Sequence, residues 1–168
     1  MPAKKAPEST RPHIPGYGLP KSRKGILPWK WAEDRLKKSH NYWITTVKPD
    51  RSPHTMVVWG LWLDRRFLFS TGRQSRKARN LAENNHCIVC SENAAEAVVV
   101  EGTAYELKDA SIRQEFLKIY EKKYKYDMSS FADEPIYVLS PVVAFGLYEK
   151  KFQTAATRWQ FAEERKNK

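Results

Sequence analysis

The stretch 67-FLFSTGRQSRKARNLAENN-85 passes from a β pattern to a helical one within a single loop, and cations crowd that loop. A strand ends at Phe69, Ser70 and Thr71, a loop runs through Gly72, and a helix opens at Ser75 and reaches about Glu83. Arg73, Arg76, Lys77 and Arg79 fall in the loop and the first turns. A helix N-terminus carries partial positive charge and favours acidic side chains, each worth roughly 0.3–1 kcal/mol. Cations at this end therefore require an anion from outside. Backbone N–H groups at a helix start are ready donors to a phosphate, and Arg76 can grip one through two parallel bonds. Ser70, Thr71 and Ser75 add hydroxyls. The competing reading is a basic turn that is merely solvated.

Working outward, Pro28 suits the first position of a helix whose apolar face is Trp29, Ala32 and Leu36. Glu33–Lys37 and Asp34–Lys38 pair on its outer side, and the pattern fades at Ser39–His40. Tyr42 to Val47 reads as a strand, broken by Lys48-Pro49-Asp50-Arg51. His54 to Leu63 is apolar on both alternating faces, which predicts one strand covered on both sides by another layer or a second subunit. Asp64-Arg65-Arg66 reverses the chain into the quoted stretch. Downstream, Cys87–Ser91 and Ala97–Leu107 read as strands. A helix capped by Asp109 runs to about Tyr126, with Ile112, Phe116, Ile119, Tyr120 and Tyr124 as a core stripe. Closing strands fall at Ile136–Leu139, Val142–Tyr148 and near Arg158–Phe161. Many antiparallel strands with few helices predict an α+β barrel.

A length of 168 residues with six Trp, eight Tyr and seven Phe suffices for one core, which excludes disorder throughout. No apolar run approaches the ~20 residues needed to span a bilayer. MPAKKAPESTRP has no apolar segment behind its charges, so no export signal is read and the cytoplasm is expected. The net charge of +11 points to an anionic partner. Residues 1–30 hold seven Lys or Arg against one Glu, and six of the ten prolines, which marks residues 1–27 as a basic arm that stays mobile or wraps over the domain. The domain spans 28–161, and 162–168 is a charged tail. Cys87 and Cys90 form a C-x-x-C, but within a strand they face opposite sides and no second pair completes a zinc site, so they are read as packing and no metal is expected. His13, His40, His54 and His86 lack ligand spacing, and no nucleophile motif occurs; catalytic side chains are left unassigned. Such a chain fits a protein whose cofactor performs the reaction.

In its order NYWITTVKPDRSPH (41–54), VWGLWLD (58–64), FSTGRQSRKARNLAENN (69–85), VVVEGTA (98–104) and ATRWQF (156–161), the chain resembles the pyridoxamine 5′-phosphate oxidase-like superfamily over about four-fifths of its length. The resemblance implies a six-stranded antiparallel split β-barrel with flanking helices, a homodimer, and two FMN sites at the interface. By position, Ser70 and Thr71 would meet the ribityl–phosphate part, and Ser75, Arg76 and Lys77 the phosphate. Met56, Val57, Val58 and Trp59 would line the isoalloxazine, with Arg158 and Trp159 approaching from the other subunit. Met56 replaces an Arg of the true pyridoxamine phosphate oxidases, and their R-L-x-x-R ending is absent, so that substrate is not expected. Arg51 and Arg66 stand at turns where relatives often carry Gly. The ATRW-F ending is closer to flavin- and deazaflavin-dependent oxidoreductases, which adds the deazaflavin coenzyme (F-420) as an alternative to FMN. The expected function is hydride transfer between the cofactor and a small organic substrate. The alternatives are a non-catalytic flavin, haem or tetrapyrrole binder and, least favoured, a nucleic-acid-associated protein working through the arm.

Overall fold

The structure, a computed structural model, describes residues 6–131 and 133–162. The readings of residues 1–5 and 163–168 as arm and tail lie outside them. Among the described residues are four α-helices and one antiparallel sheet of nine strands. In chain order these are β1 (Glu8–Thr10), α1 (Trp29–Lys38), β2 (Tyr42–Val47), β3 (Pro53–Val58), β4 (Gly60–Leu63), β5 (Arg66–Ser70), α2 (Arg76–Glu83), β6 (His86–Ser91) and β7 (Glu96–Glu106). α3 (Ala110–Tyr124), β8 (Ile136–Tyr148), α4 (Phe152–Ala155) and β9 (Thr157–Gln160) follow.

Pairing runs β1–β9–β8–β7–β6–β2–β3, and β5 joins β4 to β8. The first part of β8, Ile136–Leu139, pairs with β5, whereas Val143–Gly146 pairs with β9. β7 lies along the other side of both parts, so the sheet forks near Ser140–Pro141. The two strands predicted here are one. Pro141 lacks a ladder N–H, and the strand absorbs it through a register shift opposite Glu101 and Gly102.

The single strand expected over His54–Leu63 is instead two. β3 pairs with β2, and after Trp59 the chain turns so that β4 pairs with β5. Gly60 permits the turn, because a Cβ there would lie 2.3 Å from the Phe67 ring and 2.7 Å from the Leu68 carbonyl oxygen. Within the one chain, the two-sided cover is seen at β4. Leu61 and Leu68 face Phe116, Tyr120 and Tyr124 of α3, while Trp62 and Phe67 face the main core under α1, where Trp29, Ala32 and Leu36 are buried. β3 is open, with Met56 48% and Val57 43% exposed.

Smaller differences have local causes. Pro28 is extended (ψ 152°) and caps α1 rather than starting it. α3 ends at Tyr124, because Lys125 is left-handed at φ 54°. The left-handed residues of these two turns are Arg51 (φ 68°), Asp64 (φ 43°) and Arg65 (φ 62°), not Arg66, which has already entered β5. Residues 6–27 lie against the domain: β1, not foreseen, pairs with β9. The Arg11 guanidinium donates to the carbonyls of Thr154 (2.7 Å), Ser22 (2.9 Å) and Lys24 (3.0 Å).

Candidate cofactor site

At the start of α2 the loop is tied by its own hydroxyls. The Thr71 hydroxyl donates to Ser75 Oγ (3.1 Å), and Ser75 Oγ also accepts from the Ala78 N–H (3.2 Å) as helix cap. The Ser75 N–H closes the turn on the Gly72 carbonyl at 2.8 Å. Ser75 accepts twice here, so its own proton is available for a ligand. Among the described hydrogen bonds none engages the N–H of Arg76 or Lys77.

The predicted cations separate into two groups. Both terminal nitrogens of Arg73 lie 3.2 Å from the Glu106 carboxylate, and its N–H donates to Glu134 at 2.8 Å. That contact raises the Arg73 pKa, lowers that of Glu106, and withdraws Arg73 from the anion site. Arg76 and Lys77 make no hydrogen bond or ion pair among the described residues. α2 packs on β2, where Asn80 Nδ2 donates to Thr46 Oγ1 at 2.9 Å, and this sets the first turn of α2 beside the β2–β3 hairpin. Burial lowers the Lys77 pKa. The His54 pKa is lowered by burial and by the charges of Lys77, Lys48 and Arg76. Asp50 nearby is held by the Ser52 hydroxyl (2.6 Å) and N–H (2.9 Å). The His54 Nδ1 is buried without a partner. Asp50 offsets part of the charge of Lys48 and Arg76, but three cations against one carboxylate still repel one another, and a phosphate would relieve that repulsion.

β3 offers its edge rather than four side chains. Its residues alternate, with Met56 opposite Ile44 on the inner face and Val57 opposite Trp43 on the outer. Val58 is buried at 8% exposure. β3 ends the pairing path, so its far edge presents backbone donors and acceptors, the pattern that a planar heterocycle with alternating C=O and N–H groups can meet. The edge leads to Trp59, whose Nε1–H donates to Asn41 Oδ1 (3.1 Å) and whose ring stacks on Tyr124 at 4.6 Å and 7°.

Trp59, Ser70, Thr71 and Gly72 share a cleft of about 380 Å³ with Tyr120, Tyr126, Met128, Phe131 and Glu134. The sequence reading missed the part contributed by Tyr126, Met128, Phe131 and Glu134, because so short a segment, with a single 3-10 turn at Ser129–Phe131, has no period to mark it. Its only signal was two aromatic residues, Tyr126 and Phe131, in a polar loop.

Arg158 and Trp159 do not act together. Adjacent residues of β9 point to opposite faces. Trp159 is 0% exposed in the core of its own chain, with Trp29 at 5.4 Å and Gly146 beneath its ring, so it cannot approach a ring bound at a partner's surface. Arg158 lies on the outer face in the row Arg158–Phe145–Val99–Cys90–Trp43–Val57. It is thus strands away from Val57 within one chain. Cys87 and Cys90 are free thiols, Cys87 buried in the core and Cys90 in that outer row. Among the described residues no group of three or more His, Cys, Asp or Glu is placed to hold a metal, and no helix is long and apolar enough to cross a membrane.

A model of the family described as pyridoxamine 5′-phosphate oxidase matches residues 30–147. No curated protein matches the sequence. Among solved structures, General Stress Protein 26 from Bacillus anthracis is 18% identical with TM-score 0.57, covering 70% of this chain and 91% of that one. An F420 reductase is 21% identical with TM-score 0.57, covering 67% and 94%. HutZ, the haem storage protein from Vibrio cholerae, is 13% identical with TM-score 0.56, covering 67% and 86%. At these identities the structures establish a shared fold.

Proposed function

The chain belongs to the pyridoxamine 5′-phosphate oxidase family, and from that premise we propose that it is a flavoprotein oxidoreductase, dimeric and cytoplasmic. Bound FMN, or the deazaflavin coenzyme, would exchange hydride with a small organic substrate. One observation carries the reading: Arg76 and Lys77 stand without a hydrogen bond or ion pair among the described residues at a capped helix start, next to free N–H groups and an open strand edge. Ser75, Arg76 and Lys77 would hold the phosphate, Ser70 and Thr71 the ribityl chain, and the edge of β3 with Trp59 the ring. The pairing supports the split-barrel reading. With 53–63 counted as one kinked strand, β2, β3/β4, β5, β8, β7 and β6 close on themselves. The outer row of Trp43, Val57, Cys90, Val99 and Phe145 is the surface a second copy would cover, which would bring its Arg158 to the site. The arm 1–27, domain 28–161 and tail 162–168 remain the division we adopt. Free thiols suit the cytoplasm.

The test is the absorbance spectrum of the protein after gel filtration with FMN and, separately, with the deazaflavin coenzyme. A retained chromophore is expected. Arg76→Ala and Lys77→Ala should each weaken its binding by about 1.5–3 kcal/mol, the range for a hydrogen bond to a charged group. Unchanged affinity in both variants removes the phosphate assignment. The alternative, a binder without turnover, draws support from HutZ, which stores haem on this fold. A haem is the poorer occupant, since no His or Cys lines the cleft. Bound reduced flavin that is reoxidised no faster than free flavin by any acceptor tried would favour the binder.

A further inference from the structure

The far wall of the 380 Å³ cleft is built from groups the cofactor reading does not use. Tyr126 and Phe131 are 39% and 45% exposed, so large rings stand open to water at its mouth. They lie 6.2 Å apart, and Tyr126 meets Trp59 edge-on at 5.8 Å. Behind them Tyr120 is buried, and its hydroxyl has no hydrogen-bond partner among the described residues. Burial pushes that phenol up to about 12, so it stays a donor at neutral pH. No Lys or Arg lines the cleft; its one ionised group is Glu134, held by the Arg73 N–H.

We infer that this cleft binds the substrate, and that the substrate is a flat ring compound without negative charge. Rings as a lining favour a ring as occupant, through offset or edge contacts. The Tyr120 hydroxyl supplies one donor for a carbonyl, hydroxyl or ring nitrogen. An anion would meet the Glu134 carboxylate, while the cations beside it are already engaged, Arg73 by Glu106 and Arg113 by the Glu134 carbonyl. The cationic patch at Arg76 and Lys77 and the uncharged cleft thus divide the ligands: the phosphate-bearing one goes to the first, the neutral ring to the second. The inference rests on the cofactor reading in that Trp59 and Ser70 to Gly72 form the wall both ligands share.

The experiment is equilibrium dialysis of the full chain, loaded with FMN, against 2-naphthol, naphthalene, 2-naphthoate and pyridoxamine 5′-phosphate. 2-Naphthol should bind, with 2-naphthoate and pyridoxamine 5′-phosphate at least about tenfold weaker. Tyr126→Ala and Phe131→Ala, both at exposed positions, should each weaken 2-naphthol by about fivefold. Tyr120→Phe should weaken 2-naphthol while leaving naphthalene unchanged, a pattern that general loosening of the fold would not give. Equal binding of 2-naphthol and 2-naphthoate, or full 2-naphthol affinity in both alanine variants, overturns the inference. If FMN is retained and 2-naphthol does not bind, the cleft assignment falls alone. If 2-naphthol binds as expected to a protein that retains no FMN, the cleft assignment stands and the cofactor reading falls.

Discussion

A lysine on the inner side of a helix has to give up water, and Lys123 does so against two hydrogen bonds. Its Nζ donates to the Tyr42 hydroxyl (2.9 Å) and the Gly60 carbonyl (3.1 Å), close to the faces of Tyr42 and Tyr124. Desolvation lowers its pKa to about 8, and the Glu92 charge opposes that only in part. The unfolded chain keeps this proton up to its ordinary value near 10.5, whereas the folded chain releases it from about 8. Between those values the unfolded state holds more protons, so this group makes the fold more stable as pH rises. Cys87, raised to about 12 by burial, and the buried tyrosines Tyr42 and Tyr124 pull the other way above their ordinary values. The readout is therefore a difference: urea midpoints of wild type minus Lys123→Met should move in favour of wild type from pH 8 to pH 10. A flat difference would mean that Lys123 keeps its water. This residue also marks where reading the sequence stops. Asp109 was legible as a cap, because its partners Ser111 and Ile112 are two and three residues away. Arg73 was not legible as the partner of Glu106, nor Trp159 as core, because those contacts depend on register between distant strands.

Among elements, β7 and β8 have the most demanding fit. Gly102 sits where the register shifts opposite Pro141, and a Cβ there would lie 2.1 Å from the Ser140 carbonyl oxygen and 2.9 Å from its carbon. Both are backbone atoms in a paired strand and cannot step aside as a side-chain end would. Gly102→Ala should cost about 1–3 kcal/mol in denaturant unfolding, the usual range for overpacking. A variant as stable as wild type would show that the strands part more easily than the pairing implies. The same scale explains what could be read beforehand. α1, α2 and α3 were each foreseen within a few residues, since caps and a 3.6-residue stripe are written locally. Most strands were also placed, from β-branched and aromatic runs. Their ends and breaks were missed where a partner decides them: at Trp59, where the neighbour changes from β2 to β5, and at Ser140–Pro141, where β7 carries the chain across a proline. β1 is three residues long and polar, and only β9 makes it a strand.

For the molecule as a whole, the outer sheet face opposes the charge pattern. A chain of net charge +11 repels its own copies, yet Trp43 (48%) and Val57 (43%) stand half-exposed on one face, with Cys90, Val99 and Phe145 continuing the row. Contiguous apolar surface of this kind marks an interaction site. In the adjacent row Thr45 and Thr55 join hydroxyls at 2.9 Å, and charge enters the two rows only at their far ends, at Glu101 and Arg158. Burying such a face contributes about 25 cal/mol for each Å² of apolar area, which offsets repulsion between charges that are screened by salt. Sedimentation equilibrium should accordingly give twice the 19.6 kDa chain mass, and Trp43→Lys with Val57→Lys should return it to the single mass. Both positions are surface sites in one chain, so the double variant should keep its thermal unfolding transition. If the site is shared between copies, Trp43→Lys alone, which leaves β3 unaltered, should also lose FMN on gel filtration although Arg76 and Lys77 are intact. A monomeric variant that keeps its cofactor would confine the site to one chain, and a wild type already at the single mass would remove the second copy from the argument altogether.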